Sequence, residues 1–240
     1  MAKSKNNGVD PEDLIRKFGA DSLRLFILFA SPPEKELEWS EAGAEGSFRF
    51  INRVWRLVQA VIKNGESTGA GIEAETADEK ALLYAMNAAI KKTTLDIGDR
   101  FNFNTAISSI MEFVNAMYKA LETGVRHAIT SSAVENLILI LSPFAPHVCD
   151  EMREALGHKT PALLERWPSY DESALARDTE EIAVQINGKL RGKITIASGL
   201  TARELEEIAA DSDEVKALTD GQKIVKVIGV PGRLISIVVK

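Results

Sequence analysis

Apolar residues recur at helical spacing through the first three quarters of the chain and alternate with polar ones through the last quarter. Asp10-Pro11-Glu12-Asp13 reads as a helix start, with an N-cap aspartate, proline at the first helical position and acids at the positive end of the dipole. That helix is predicted to stop at Gly19. A second is predicted from Asp21 to about Ala30, where Ser31-Pro32-Pro33 breaks it. Ser40 then caps a longer helix from Glu41 to about Lys63, and a loop carrying Gly65, Gly69 and Gly71 follows. Thr76-Ala77-Asp78-Glu79 has the spacing of a capping box and opens a helix to about Asp96. The next runs from about Asn104 to Leu121, with Ile107, Ile110, Met111, Val114 and Met117 at helical spacing. Two more are predicted over 131–141 and 146–156, separated by Ser142-Pro143 and closed by Gly157. Long helices joined by short connections read as an antiparallel bundle.

The period changes after Asp178. Ile182, Val184 and Ile186 alternate with polar residues, which predicts a strand. Asn187-Gly188 is a strong hairpin turn signal, because both residues tolerate positive φ. Lys189 to Ile196 is the return strand, and Thr201-Ala202-Arg203-Glu204 is a second capping box opening a helix to about Ala210. Two further β-branched runs, 223–228 and 234–239, are joined through Pro231-Gly232. The fold class expected is therefore mainly α, a helical bundle followed by a small α+β domain of order ββαββ, similar in pattern to a β-grasp. The predicted division is a loop with connecting helices over 1–40, a bundle over 41–170, a linker over 171–180 and the small domain over 181–240.

Composition narrows the class further. The 240 residues are 45% hydrophobic and 27% charged, which excludes a disordered tail or a collagen-like fibre. The most apolar stretch, Leu23 to Ala30, is far short of the ~20 residues of a membrane span. The polar opening with Lys3 and Lys5 does not read as a secretory leader. Cys149 is the single cysteine and the three histidines are scattered, so neither an internal disulfide nor a metal site is expected, and the cytoplasm is the expected compartment. With a net charge of −6, contact with nucleic acid has to rely on local basic patches.

Two such patches stand out. On the helix over 41–63, Arg49, Arg53, Arg56 and Lys63 fall within about 80° of one another, opposite Ile51, Val54, Val58 and Val61. On the return strand, alternation puts Lys189, Arg191 and Lys193 on one face and Leu190, Ile194 and Ile196 on the other. Residues 181–240 hold nine Lys/Arg and eight Asp/Glu, a net +1, and seven of those acids lie between Glu204 and Asp220. Gly188 and Gly192 leave the backbone beside these cations open to close approach. Arginine and lysine stripes of this kind suit RNA phosphates. The same patterns also describe solvated faces, with edge lysines blocking strand pairing. Trp55, Phe101, Phe103, Phe113 and Phe144 sit among apolar periods and are expected in the core. Asp99-Arg100 reads as a helix-terminus charge pair.

The opening Met1-Ala2-Lys3-Ser4-Lys5-Asn6-Asn7, followed by Val9-Asp10-Pro11, resembles the KMSKS signature of class I aminoacyl-tRNA synthetases. Ala20-Asp21-Ser22-Leu23-Arg24 fits the helix after it, and Leu141-Ser142-Pro143-Phe144-Ala145-Pro146-His147 resembles a signature shared by the leucyl, isoleucyl and valyl branches. The runs over 49–56, 100–106 and 184–193 resemble the bacterial leucyl branch, so the resemblance covers essentially the whole chain. It departs at Ala2, where the signature has serine, and the signature's first lysine would precede Met1.

The resemblance implies the C-terminal tRNA-binding portion of an enzyme that activates leucine with ATP and Mg2+ and transfers it to leucine tRNA. Lys3 is then the catalytic lysine of the loop, and Lys3, Ser4 and Lys5 face the ATP phosphates. Arg49, Arg53, Arg56, Lys63, Lys189, Arg191 and Lys193 face tRNA. The nucleotide-binding and editing domains would lie upstream, so the chain by itself is expected to be a monomer without catalysis. The other readings are a portion of an isoleucyl- or valyl-type synthetase, or a stand-alone RNA-binding or assembly module.

Overall fold

The computed structural model describes residues 11–37, 39–65, 73–175, 179–219, 222 and 224–240. The chain divides into two compact units between Leu175 and Ala176. The first is helical and the second carries a four-stranded sheet.

Among the described residues the first unit has seven α-helices: α1 (Pro11–Phe18), α2 (Ala20–Ala30), α3 (Glu41–Lys63), α4 (Ala77–Leu95), α5 (Phe103–Glu122), α6 (His127–Leu141) and α7 (Pro146–Ala155). Ser40 caps α3 by accepting from the Gly43 N–H, and Thr76 caps α4 by accepting from the Glu79 N–H. Asp10, the cap that the sequence suggests for α1, lies outside the described residues. The apolar positions converge as their spacing requires, with Leu57, Ile107, Ile110, Phe113, Met117, Leu137, Ile138 and Phe144 fully buried in one core.

Three local departures from the sequence pattern have physical causes. Helix α6 starts at His127, a turn before the predicted Ser131, because the Arg126 carbonyl already accepts from the Thr130 N–H. A single π-helical turn, Asp96–Arg100, joins α4 to α5 in place of a plain loop. After α7, residues up to Leu175 do not form a free linker. Trp167 donates to Thr94 Oγ1 at 2.8 Å, Asp171 N–H donates to Asn87 Oδ1 at 2.7 Å, and Lys91 pairs with Glu172 at 2.9 Å. The segment is strapped along α4.

Glu79 shows how tightly the far end of this unit is held. Its carboxylate accepts from Arg126 Nε at 2.6 Å and from the Glu75 and Thr76 N–H groups at 2.8 and 3.2 Å. The Arg126 guanidinium, with those N–H groups, lowers its pKa from 4.5 to about 2. A depressed carboxylate stabilises the fold fully above its unfolded pKa, and that contribution is lost as pH falls through the folded value. Urea titrations stepped from pH 6 to pH 2 should therefore show the helical unit losing stability between about 4.5 and 2. Glu79→Gln should start less stable and lose less across that window. A variant that loses as much would place the acid sensitivity elsewhere.

The second unit contains β1 (Thr179–Ile186), β2 (Lys189–Ala197), α8 (Ala202–Asp211), α9 (Asp213–Leu218), β3 (Ile224–Val230) and β4 (Leu234–Val239). The sheet order is β2-β1-β4-β3, with β1 and β4 parallel and the two outer pairings antiparallel. Ile182, Val184, Ile194, Ile196, Ile235 and Ile237 are buried with Leu205, Ala209 and Val215 of the helices. Two helices, not the single one predicted, lie between the strand pairs, because Ser212 Oγ accepts from the Val215 N–H and restarts the chain as α9.

Candidate nucleic-acid interface

Helix α3 buries Ile51, Val54, Val58 and Val61, so its opposite side faces solvent. Arg49 is exposed and pairs with Glu45 one turn back at 2.8 Å. Arg53 is half-buried, its guanidinium 4.6 Å from the Tyr118 ring centroid, while Tyr118 donates its hydroxyl hydrogen to the Arg53 carbonyl. Arg56 and Lys63 are exposed. The four cations thus share the solvent side, with Arg53 held most firmly and Arg49 partly neutralised. A stacked guanidinium keeps its donors fixed and suits a phosphate better than a free lysine does. Lys3, Ser4 and Lys5 lie outside the described residues.

On the sheet unit the register corrects the simple alternation. Val184 pairs with Gly192 and Gln185 with Leu190, so Arg191 is an extra residue in β2. Directly paired residues share a sheet face. Lys193, opposite Ala183, is therefore on the open face, together with Leu190, which is 64% exposed. Lys189, opposite Ile186, has the parity of the helix-covered face. The three cations do not form one stripe, and Leu190 does not join Ile194 and Ile196. The extra residue resets the alternation. All three cations are nonetheless exposed around the hairpin, and Lys193 pairs with Glu181 at 3.0 Å. The backbone at Gly192 is not open to a ligand as its residue type suggests. It is filled from within, since a Cβ there would lie 3.1 Å from Leu218 Cδ1.

Other expectations change at the α4–α5 corner. Phe101, expected in the core, is 57% exposed and sits at φ 52, where its N–H donates to the Asp96 carbonyl and closes the π-turn. Phe103, Phe113, Phe144 and Trp55 do pack in or against the core. Arg100 approaches Asp96 at 3.6 Å rather than Asp99, and Asp96 is fully buried, also accepting from Lys92 and Thr105. Burial pushes the Asp96 carboxyl up, but the Lys92 ammonium and the Thr105 hydroxyl outweigh it and hold it below its ordinary value. Sequence reasoning also misses the second role of Asn187, whose side chain reaches β4. The Asn-Gly pair announces the turn but carries no sign of that contact.

Among the described residues, no group of three or more His, Cys, Asp or Glu could hold a metal ion, and no helix is long and apolar enough to cross a membrane.

Residues 79–207 match a family described as the anticodon-binding domain of tRNA ligases, and residues 1–40 match class I tRNA synthetases of the I, L, M and V group. Leucine–tRNA ligase of Symbiobacterium thermophilum is 42% identical over 100% of this chain, and that of Chromohalobacter salexigens is 44% identical over 99%. The chain spans 32% and 28% of their respective lengths. A solved structure of Agrobacterium radiobacter K84 LeuRS, in a ternary complex with tRNA and LeuAMS, superposes with a TM-score of 0.80 at 27% identity. It is matched by 100% of this chain over 31% of its own.

Proposed function

The chain belongs to the anticodon-binding-domain family of tRNA ligases, and we propose that it is the tRNA-binding portion of a bacterial leucine–tRNA ligase. The observation that carries this reading is the cluster of exposed cations on the hairpin, Lys189, Arg191 and Lys193, within residues 181–240, whose sequence gathers seven of its eight acids into the separate stretch from Glu204 to Asp220. In a chain of net charge −6, such a local cluster is what a polyanion can meet. The exposed side of α3, with Arg49, Arg53, Arg56 and Lys63, is the second contact surface. The relatives named leucine–tRNA ligase favour the leucyl branch over the isoleucyl or valyl one.

The same reading assigns 1–40 to the signature loop and its helices, 41–170 to the bundle and 181–240 to a β-grasp-like tRNA-contacting domain. The parallel β1/β4 pair flanked by two hairpins, with helices on one face, supports the last assignment. In the whole ligase, a cytoplasmic enzyme, leucine is activated with ATP and Mg2+ and passed to tRNA, with Lys3, Ser4 and Lys5 toward the ATP phosphates. The chain itself, spanning about a third of its relatives, is expected to be monomeric and to give no leucine-dependent pyrophosphate exchange.

The test is binding of leucine tRNA and a non-cognate tRNA to this chain, titrated across salt. We expect saturable binding of leucine tRNA that weakens steeply with salt. Replacing Lys189 and Arg191 with alanine should flatten the salt slope by about one unit for each phosphate that is no longer neutralised. Lys193 should matter less, because Glu181 already neutralises it. No binding at low salt would overturn the proposal. Equal binding of both tRNAs would keep the backbone contact and move leucine specificity elsewhere.

A further inference from the structure

We infer that Asn187 is a positioning residue: its side-chain amide bolts the β1–β2 hairpin to the end of β4 and so holds Lys189 and Arg191 in place for RNA phosphates. The inference rests on the RNA-binding reading above and says how that surface is made rigid.

The turn by itself does not require asparagine. Asn187 and Gly188 have φ of 47 and 78, and glycine at both positions would satisfy the same two-residue turn. What asparagine adds is an amide with one acceptor and two donors. The parallel β1/β4 pairing runs from Ala183↔Leu234 to Ile186↔Ile237. Beyond it the Asn187 N–H donates to the Ile237 carbonyl at 2.9 Å. The side chain then takes over: Nδ2 donates to the Val239 carbonyl at 3.3 Å, and Oδ1 accepts from the Val239 N–H at 3.1 Å. The amide acts as one more strand residue and carries the ladder past the point where the backbone turns away.

That contact matters because of what lies next to it. Lys189 follows the turn directly, and Arg191 is the extra residue that breaks the β2 register three positions beyond Gly188. A bulge bends and twists its strand and re-aims the side chain it carries. Among the described residues neither Lys189 nor Arg191 is in an ion pair, whereas Lys193 is. A hairpin tip held by a single strand pair frays, and its cations would then lose conformational entropy on meeting a phosphate. Tied to β4, they lose less, which is affinity gained through preorganisation.

Asn187→Gly keeps the turn geometry and the charge and removes the amide. In the 240-residue chain, measured against leucine tRNA well below the melting temperature, it should weaken binding by about two- to tenfold. The salt slope should stay unchanged, because the same phosphates are contacted in the end, and the Val239 amide should exchange faster. Arg191→Ala should instead flatten the slope. In the double variant the Asn187→Gly penalty should shrink, since one of the groups it positions is gone. An equal penalty with and without Arg191 would mean a purely structural role and overturn the inference. So would normal binding by Asn187→Gly beside weakened binding by Arg191→Ala, an outcome that leaves the RNA-binding reading intact. If neither variant changes binding, the inference falls together with the hairpin's part in the RNA-binding reading.

Discussion

Gly229→Ala is expected to unfold the sheet unit well before the helical one. Gly229 lies on β3, paired with buried Ile235, and α8 crosses directly over it. A Cβ at this position would lie 2.7 Å from the Ala202 carbonyl oxygen and 2.8 Å from Leu205 Cβ, with Glu206 Cγ at 3.5 Å. The two nearest atoms are a backbone oxygen and a Cβ, neither of which can rotate aside. Helix α8 must therefore lift, which pulls Leu205 and Ala209 from the isoleucines of β1 and β4 and strains the Gly229 N–H bond to Glu206, 3.2 Å long. Overpacking of this kind costs about 1–3 kcal/mol. In a unit of about 65 residues, whose small core leaves little reserve, that is a large share of the total stability.

The tryptophans make the measurement clean. Trp39, Trp55 and Trp167 all belong to the helical unit, so their fluorescence follows that unit alone. In urea, Gly229→Ala should leave the fluorescence transition in place and move the loss of amide-exchange protection at Ile235 and Ile237 to lower denaturant. If the proposed RNA contacts hold, the variant should also lose the hairpin's share of tRNA affinity while retaining that of α3. Unchanged protection would show that α8 can ride over a methyl group at this position.

How much of the fold is legible in the sequence depends on whether a feature is local. The capping boxes at Thr76 and Thr201, the Asn-Gly turn and the apolar stripe of α3 follow from residues a few positions apart, and the structure has them. Arg191 shows where locality fails. A bulge is set by what the partner strand offers, and nothing in Lys189–Lys193 says that β1 is one residue short there. Phe101 fails in the same way, because its exposure follows from a π-turn closed on the carbonyl of the buried Asp96, and the apolar period registers only that a phenylalanine is present. The strap of Trp167, Asp171 and Glu172 along α4 joins residues more than 70 positions apart, so composition alone makes part of it a linker. The cationic residues themselves are legible. Which of them share a face is a tertiary fact.

Asp21→Ala should lower the stability of the helical unit by about 2 kcal/mol. Helix α7 begins at Pro146 behind Ala145, which has no side-chain acceptor to offer, so its first N–H groups need a cap from elsewhere. Asp21 of α2 supplies it across 127 positions. Oδ2 accepts from the Val148 N–H at 2.8 Å and Oδ1 lies 2.8 Å from His147 Nδ1, with the carboxylate almost fully buried. Arg24, one turn on, donates to the Pro143 carbonyl at 3.2 Å. Two stretches far apart in the chain, Ala20–Arg24 and Leu141–His147, are thus the two halves of one joint. Alanine removes the cap and leaves the Val148 N–H unpaired, and for a unit of this size the midpoint should drop by about 4–8 °C. Trp39 is a built-in reporter of the loss, because Phe26 of α2 packs edge-on against it at 5.1 Å. Asp21→Asn keeps an acceptor for Val148 and should lose clearly less. If alanine and asparagine melt together at the wild-type temperature, the joint is not what holds α2 to α7. If the prediction holds, this carboxylate and the Arg24 bond to the Pro143 carbonyl are what fasten α2 to the start of α7.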